Sequence, residues 1–268
     1  MEWASDPTLY PTYLRSRIRR GRGVGKGLLY APWFKTRDVP SQGTSGTIPG
    51  IVVSRPFHFL SELEATYFFL IERQRNTIDL QEQWPILDID ETLRLSRLLR
   101  VRHPYRNGRP EPFTIDLLIT SASEKAVTVR AASIKTGADA KNPQIKQRLT
   151  VEYLWCSERG IPWTLVDTTQ FNKVLLDNLR FIRSWFRHRY QPDEECTSRF
   201  SEVFLRSYRT NVPLQELIFT AGQKLRLPDS VASDVFRYCA WRDDIPISLK
   251  QPLAGNQPLV LRDARVGL

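Results

Sequence analysis

Cysteine is scarce in this 268-residue chain: Cys156, Cys196 and Cys239 are the only three, and no two form a CxxC pair. An odd, scattered set of thiols argues against a disulfide scaffold or structural zinc and fits a reducing cytoplasm. Histidine is equally rare, and His58, His103 and His188 lie too far apart to suggest an HNH or zinc site. No apolar run approaches the roughly 18 residues that a membrane-spanning helix needs. Residues 1–10 carry Glu2 and Asp6 without an apolar stretch, so no secretory leader is expected there. Acidic residues are also short: 29 Asp and Glu face 39 Lys and Arg, a net charge of +10. A balance this basic favours a polyanionic partner, above all nucleic acid. With 41% hydrophobic and 25% charged residues, the chain is otherwise an ordinary folded protein of one large or two modest domains.

The charge is uneven: +5 over residues 1–50, +1 over 51–169 and +4 over 170–268. This is the distribution expected if the ends grip phosphates while the centre houses carboxylates with their own task. Residues 1–50 read as a basic arm. Arg15, Arg17, Arg19, Arg20, Arg22 and Lys26 are candidate DNA-binding residues, and the interleaved Gly21, Gly23, Gly25 and Gly27 would let backbone approach phosphate closely. It is not a nucleotide P-loop, because Arg20 stands where that motif needs its first glycine and Gly27 where it needs Ser or Thr. Ser41 to Gly50 reads as a loop.

Residues 51–190 read as one α/β domain. Ser61 is the expected N-cap of a helix carrying Leu63, Tyr67, Phe68 and Ile71 on its apolar face. Short extended stretches are expected at 77–80 and 84–87, strands at 113–119 and 126–134, a helix at 143–159, a buried strand at 162–166 and an amphipathic helix at 171–186. That order points to a mixed sheet flanked by helices. Gln191 to Ser198 is the best linker candidate. Beyond it, residues 191–268 read as helices at 213–225 and 229–241, then extended legs at 245–249 and 258–261. This is a winged-helix plan, with Ser233, Arg237 and Arg242 on or beside the second helix. Asp229, Asp234, Asp243 and Asp244 surround the same helix and would repel phosphates, so a helical cap for protein contacts carries equal weight.

Asp116 sits between Ile115 and Leu117-Leu118-Ile119. Burying a carboxylate in such a run costs several kcal/mol unless a partner compensates. Lys135 ends the next strand, and strand alternation sets Ser133 and Lys135 on one face, where both can meet Asp116. An Asp on one strand and a residue pair ending in Lys on the next resembles the PD-(D/E)xK nuclease layout. In that chemistry carboxylates gather Mg²⁺, the metal polarises the scissile phosphate, and the lysine orients water or screens charge. Glu64, on the preceding helix, is the candidate third acid. Simpler readings stand beside these: Ser61 and Glu64 also form a capping-box pair, and Asp116 with Lys135 a cross-strand ion pair.

Ordered local motifs over residues 12–187 carry a more specific likeness. They are Gly21-Arg22-Gly23 with Gly25, Tyr30, Pro32-Trp33, Val39-Pro40-Ser41 with Gly43, and His58-Phe59-Leu60-Ser61-Glu62-Leu63-Glu64. Asp79-Leu80-Gln81-Glu82-Gln83-Trp84-Pro85, His103-Pro104, Thr114-Ile115-Asp116, Ile134-Lys135 and Ile161-Pro162-Trp163 follow. Together they resemble TnsA, the endonuclease subunit family of heteromeric TnsA/TnsB (Tn7-like) transposases. The resemblance implies a restriction-endonuclease-like domain followed by a winged-helix-like one, and Mg²⁺-dependent cleavage of the 5′ ends of a transposon in cut-and-paste movement. A TnsB-like DDE transposase would cut and join the 3′ ends, and a TnsC-like AAA+ ATPase would dock on the C-terminal region.

Carried over by motif, Glu64, Asp116 and Lys135 are the expected catalytic residues. Glu64, Asp116, Ser133 and the Ile134 carbonyl are the expected ligands of Mg²⁺, two ions per site, with Mn²⁺ able to substitute. The polar Glu82 and Gln83 beside Trp84 read as structural first, with a site-supporting role, hinted at by family motif membership, as the alternative. The bacterial cytoplasm, at the nucleoid, is the implied setting. One position departs: the family places Gln, and the wider superfamily Glu, where this chain has Ser133. That departure keeps two alternatives in view, a non-catalytic DNA-binding adaptor of a transposase complex and a stand-alone restriction endonuclease.

Overall fold

The computed structural model describes residues 1–38 and 46–262. Val39, Pro40, Ser41 and Gly43 of the family-like pattern fall outside the described residues. Two compact units are present, residues 1–72 with 76–169 and residues 73–75 with 170–268. Among the described residues no helix is long and apolar enough to cross a membrane.

The first unit is α/β. Its elements are α1 (Thr12–Arg19), β1 (Gly46–Pro49), β2 (Pro56–Phe59), α2 (Glu62–Glu72), β3 (Thr77–Pro85), α3 (Ile89–Leu98), the short pair β4 (Tyr105–Arg106) and β5 (Arg109–Pro110), β6 (Thr114–Ala122), β7 (Val127–Ile134), α4 (Gly137–Lys141), α5 (Pro143–Ser157) and β8 (Trp163–Val166). The central sheet runs β3-β6-β7-β8 and is mixed: β3, β6 and β7 are antiparallel neighbours, while β8 lies parallel to β7. Chain chemistry sets both relations. The β6–β7 reversal is short, with the Ser123 N–H donating to the Ala126 carbonyl at 2.9 Å. The β7–β8 connection is long enough to carry a crossover helix, which parallel pairing requires. Asn142 caps that helix, α5, by accepting from the Gln144 N–H at 2.9 Å. Val151, Trp155 and Cys156 on α5 join Trp84, Phe113, Ile115 and Leu118 in one buried cluster. Phe57, Phe59 and Phe68 form a second, with ring centres 4.7 and 4.8 Å from Phe68.

Four expectations change. The stretch at 77–80 and the first half of that at 84–87 belong to a single strand, β3, which ends at Pro85. Helix α3 has no counterpart in the sequence reading, and residues 46–49 of the expected loop are β1, paired with β2. The N-terminal segment is folded rather than an arm: Leu14 and Ile18 of α1 are buried with Val24, Trp33, Leu87 and Ile89. Residues 25–33 then run along β3. The Gln81 amide donates to the Gly25 carbonyl at 2.9 Å, the Gly27 N–H to Asp79 at 3.2 Å, the Tyr30 hydroxyl to the Glu82 carbonyl at 2.9 Å and the Trp33 N–H to the Gln83 carbonyl at 3.2 Å. β3 is the terminal strand of the sheet, and an uncovered strand edge is a row of unpaired donors and acceptors. The glycines serve this cover. Gly23 has φ +72°, and a Cβ there would lie 2.3 Å from Pro85 Cγ.

The second unit is helical: α6 (Lys173–Arg187), α7 (Glu194–Ser207), α8 (Leu214–Lys224) and α9 (Asp229–Trp241). Helix α6 packs on α9, with the Trp185 and Tyr238 rings edge-on at 5.0 Å. Most of the expected linker is the start of α7, which Asp193 caps by accepting from the Cys196 N–H at 2.7 Å. Helices α8 and α9 cross closely, since a Cβ at Gly222 would lie 2.8 Å from that of Ala232. The two extended legs do meet antiparallel, but through the single bridge Ile247↔Leu261 rather than a ladder. Pro246, Pro252 and Pro258 remove donors a regular hairpin would use.

Candidate active site

Strand β6 carries Asp116 in the middle of the sheet, and β7 ends at Ile134, immediately before Lys135. The register Leu117↔Ala132 brings the ends of these strands together. Asp116, 7% exposed, is satisfied at one oxygen by two donors: its Oδ2 accepts from the Ile134 N–H at 2.7 Å and from Lys135 Nζ at 2.6 Å. The Lys135 ammonium also donates to the Ile134 carbonyl at 3.1 Å. The cation thus bridges a carboxylate and a backbone carbonyl.

Glu64 reaches the same neighbourhood from the first turn of α2. It forms the capping box with Ser61: its N–H donates to Ser61 Oγ at 3.2 Å, and that hydroxyl donates to Glu64 Oε1 at 3.0 Å. Its Oε2 accepts from the Leu60 N–H at 3.1 Å and from the Gln83 side-chain amide at 3.3 Å. The cap and the site are therefore the same side chain. Burial, and then the negative charge of Asp116, push the Glu64 carboxyl up to about 7, against the hydrogen bonds from Leu60 and Ser61 and the charge of Lys135.

Ser133 behaves differently from expectation. It is buried, and its hydroxyl donates to Glu152 Oε2 at 2.6 Å rather than bonding Asp116. Glu152 comes from α5 and was missed in the sequence. Its signal was present but unremarkable: a carboxylate three residues after Leu149 and four before Cys156, on the buried stripe of an otherwise ordinary helix. Burial pushes Glu152 up to about 7 as well, opposed by the charge of Lys135 and reinforced by that of Asp116. Burial works against the Lys135 ammonium, yet Asp116, Glu152 and Glu64 outweigh it and hold its pKa above the usual lysine value. Glu64 and Glu152 each feel Asp116 and Lys135. Glu64, Asp116, Lys135 and Glu152 thus form one electrostatic cluster built from α2, β6, the end of β7 and α5.

The donor set suits a hard divalent cation, because every oxygen is a carboxylate, a hydroxyl or a carbonyl. One cation, the Lys135 ammonium, already lies between Asp116 Oδ2 and the Ile134 carbonyl, so the cradle fits positive charge. Among the described residues, no three His, Cys, Asp or Glu stand close enough to form a ready-made metal cluster.

The candidate DNA-binding residues divide. Arg17 is paired with Glu111 and stacks on Trp33, 4.7 Å from the ring centre. Arg22 is paired with Asp38, Lys26 with Glu2 at 3.2 Å, and Arg15 donates to the Tyr10 carbonyl at 2.9 Å. Arg19 and Arg20 are exposed. The structure therefore does not gather these six into one cationic surface; it spends four of them on holding residues 1–38 in place.

Over 168 residues the chain is 29% identical to the Tn7 transposition protein TnsA of Escherichia coli, an alignment covering 63% of this chain and 61% of that protein. No protein-family model matches the chain. The chain is thus similar to that protein over about three fifths of the length of each.

Proposed function

We propose that this chain is a DNA endonuclease subunit of a transposase, cleaving the 5′ ends of a transposon with Mg²⁺. The observation that carries the reading is the cluster of Glu64, Asp116, Lys135 and Glu152, buried where two strand ends and two helices converge, in a chain similar to a transposition protein. In this reading Asp116, Glu64 and the Ile134 carbonyl would hold the metal, with Ser133 acting through Glu152 rather than as a direct ligand. Bound there, a divalent ion would polarise the scissile phosphate and lower the pKa of water. Lys135, whose raised pKa keeps it protonated, supplies fixed positive charge where the phosphorane gathers negative charge. Glu152, which burial pushes up to about 7, can accept or return a proton at a carboxylate oxygen.

The second unit fits a docking role, with α8 and α9 as a winged-helix-like pair and a TnsC-like AAA+ ATPase as its partner. A TnsB-like DDE transposase would process the 3′ ends, in the bacterial cytoplasm at the nucleoid. A non-catalytic adaptor is the second reading, favoured by the engagement of Ser133 with Glu152. The test is to map 5′ and 3′ cuts on transposon-end DNA with partner subunits present. Asp116→Ala and Lys135→Ala should abolish 5′ nicking by at least 100-fold and leave 3′ joining and the circular dichroism spectrum unchanged. Normal 5′ nicking by both variants would leave only the adaptor. Nicking of arbitrary plasmid by the isolated chain would instead favour a stand-alone restriction endonuclease.

A further inference from the structure

Among the described residues, six non-glycine residues have positive φ, and five of them follow a helix or sit in the β4–β5 turn. The sixth is Gln83, at φ 47°, inside β3. Its effect on the sheet is local. The β3–β6 register pairs Glu82 with Leu117 and Trp84 with Ile115, and the intervening position, where Gln83 faces Asp116, drops out of the ladder.

Both flanks are fixed. Glu82 is held by Arg55 at 2.9 and 2.6 Å and by the His58 N–H at 3.0 Å, while Trp84 is 1% exposed in the core. Gln83's own carbonyl accepts from the Trp33 N–H. A left-handed backbone with a long side chain is strained, and glycine would occupy it freely. The fold alone therefore asks for glycine at 83, and the strain is explained only by use of the side chain. That side chain is 98% buried, and its amide donates to Glu64 Oε2.

We infer that Gln83 is a positioning residue: the kink in β3 turns its carboxamide onto Glu64 and fixes the plane of that carboxylate toward the site. Leu60 and Ser61 hold Glu64 from its own helix end, whereas Gln83 ties it to the sheet that carries Asp116. The inference rests on the nuclease reading and names a residue through which that site is kept in register.

Gln83→Gly relieves the backbone while deleting the amide, and Gln83→Ala deletes the amide without that relief. Mn²⁺ alone, followed by electron paramagnetic resonance on the purified full chain, reports the site apart from turnover. Both variants should bind Mn²⁺ about 5–10-fold more weakly, with the glycine variant melting no lower than the parent. In a Glu64→Gln background the same change at 83 should have no further effect on Mn²⁺ binding. A merely structural role predicts the opposite: lower melting in both variants and undiminished Mn²⁺ affinity. Asp116→Ala is the reference. If it loses Mn²⁺ and the variants at 83 do not, the positioning role alone is overturned. If Asp116→Ala also binds normally, the reading beneath falls with it.

Discussion

Replacing Glu152 by glutamine should make the protein less sensitive to pH, and the structure sets the size. A glutamate in an unfolded chain titrates near 4.3, whereas burial holds Glu152 at about 7 in the folded protein. The folded state therefore binds this proton more tightly than the unfolded state. Its contribution to stability is complete below the unfolded value, declines as pH rises toward 7, and is flat above that. Each unit of difference corresponds to about 1.4 kcal/mol, so the full swing is about 4 kcal/mol, of which about 2 kcal/mol falls between pH 5.5 and 8.

Glutamine matches the shape, can still accept from the Ser133 hydroxyl, and carries no proton to lose. Urea denaturation followed by tryptophan fluorescence at pH 5.5 and 8 would measure both slopes. Glu64 is raised in the same direction and remains in the variant, so the comparison is between slopes rather than absolute stabilities. We expect the parent to lose about 2 kcal/mol more than the variant across this range. Parallel curves would show that Glu152 is ionised and well compensated in the fold, and the argument for a raised carboxyl at this position would be refuted.

Two further outcomes follow from the N-terminal segment. Gly23→Ala drives a Cβ to 2.3 Å from Pro85 at a φ of +72°, and should lower stability by about 2–4 kcal/mol in a thermal or urea melt; the open site at Gly27, with φ +54°, should cost only about 1–2 kcal/mol for the same change. Arg17→Ala leaves the buried Glu111 with only the Trp33 indole N–H at 2.7 Å and Arg106 at 3.8 Å, and should show as lost stability, whereas Arg19→Ala with Arg20→Ala should leave stability unchanged. In a DNA-binding titration the latter pair should weaken affinity and flatten its salt dependence by up to two charges.

The sheet and its three site residues were legible in the sequence because they rest on local pattern. An aspartate enclosed by Ile115 and Leu117-Leu118-Ile119 cannot be bland, and Ser61 with Glu64 announces a helix start. What escaped depends on pairing across the chain. Glu152 is one carboxylate in a helix of ordinary composition, and only its burial against Ser133 sets it apart. The basic residues of the first 38 looked available because sequence counts charges without their partners; Glu111 and Asp38 are far enough along the chain to be invisible as counterions. The start of α7 was lost for a related reason: Asp, Glu and Ser at its entrance resemble loop composition until the Asp193 capping bond is seen. Helix α3 opens on Asp88 without a side-chain cap, and carries no such signal. Sequence alone places Ser133 among the metal ligands, in a position where the family has Gln. In the fold the serine hands its hydrogen bond to an acid from another element.

The glycine-rich stretch that lies against β3 has a bearing on how the protein is handled. Trimming it together with the residues up to Trp33, as though they were a disposable tail, would take the Tyr30 hydroxyl and the Trp33 N–H from the Glu82 and Gln83 carbonyls, and the Gly25 carbonyl from the Gln81 side chain. A chain shortened to start at the sheet would present Gln81, Glu82 and Gln83 to any other strand in solution, so self-association, not mere loss of DNA contact, is the fate to expect of such a fragment.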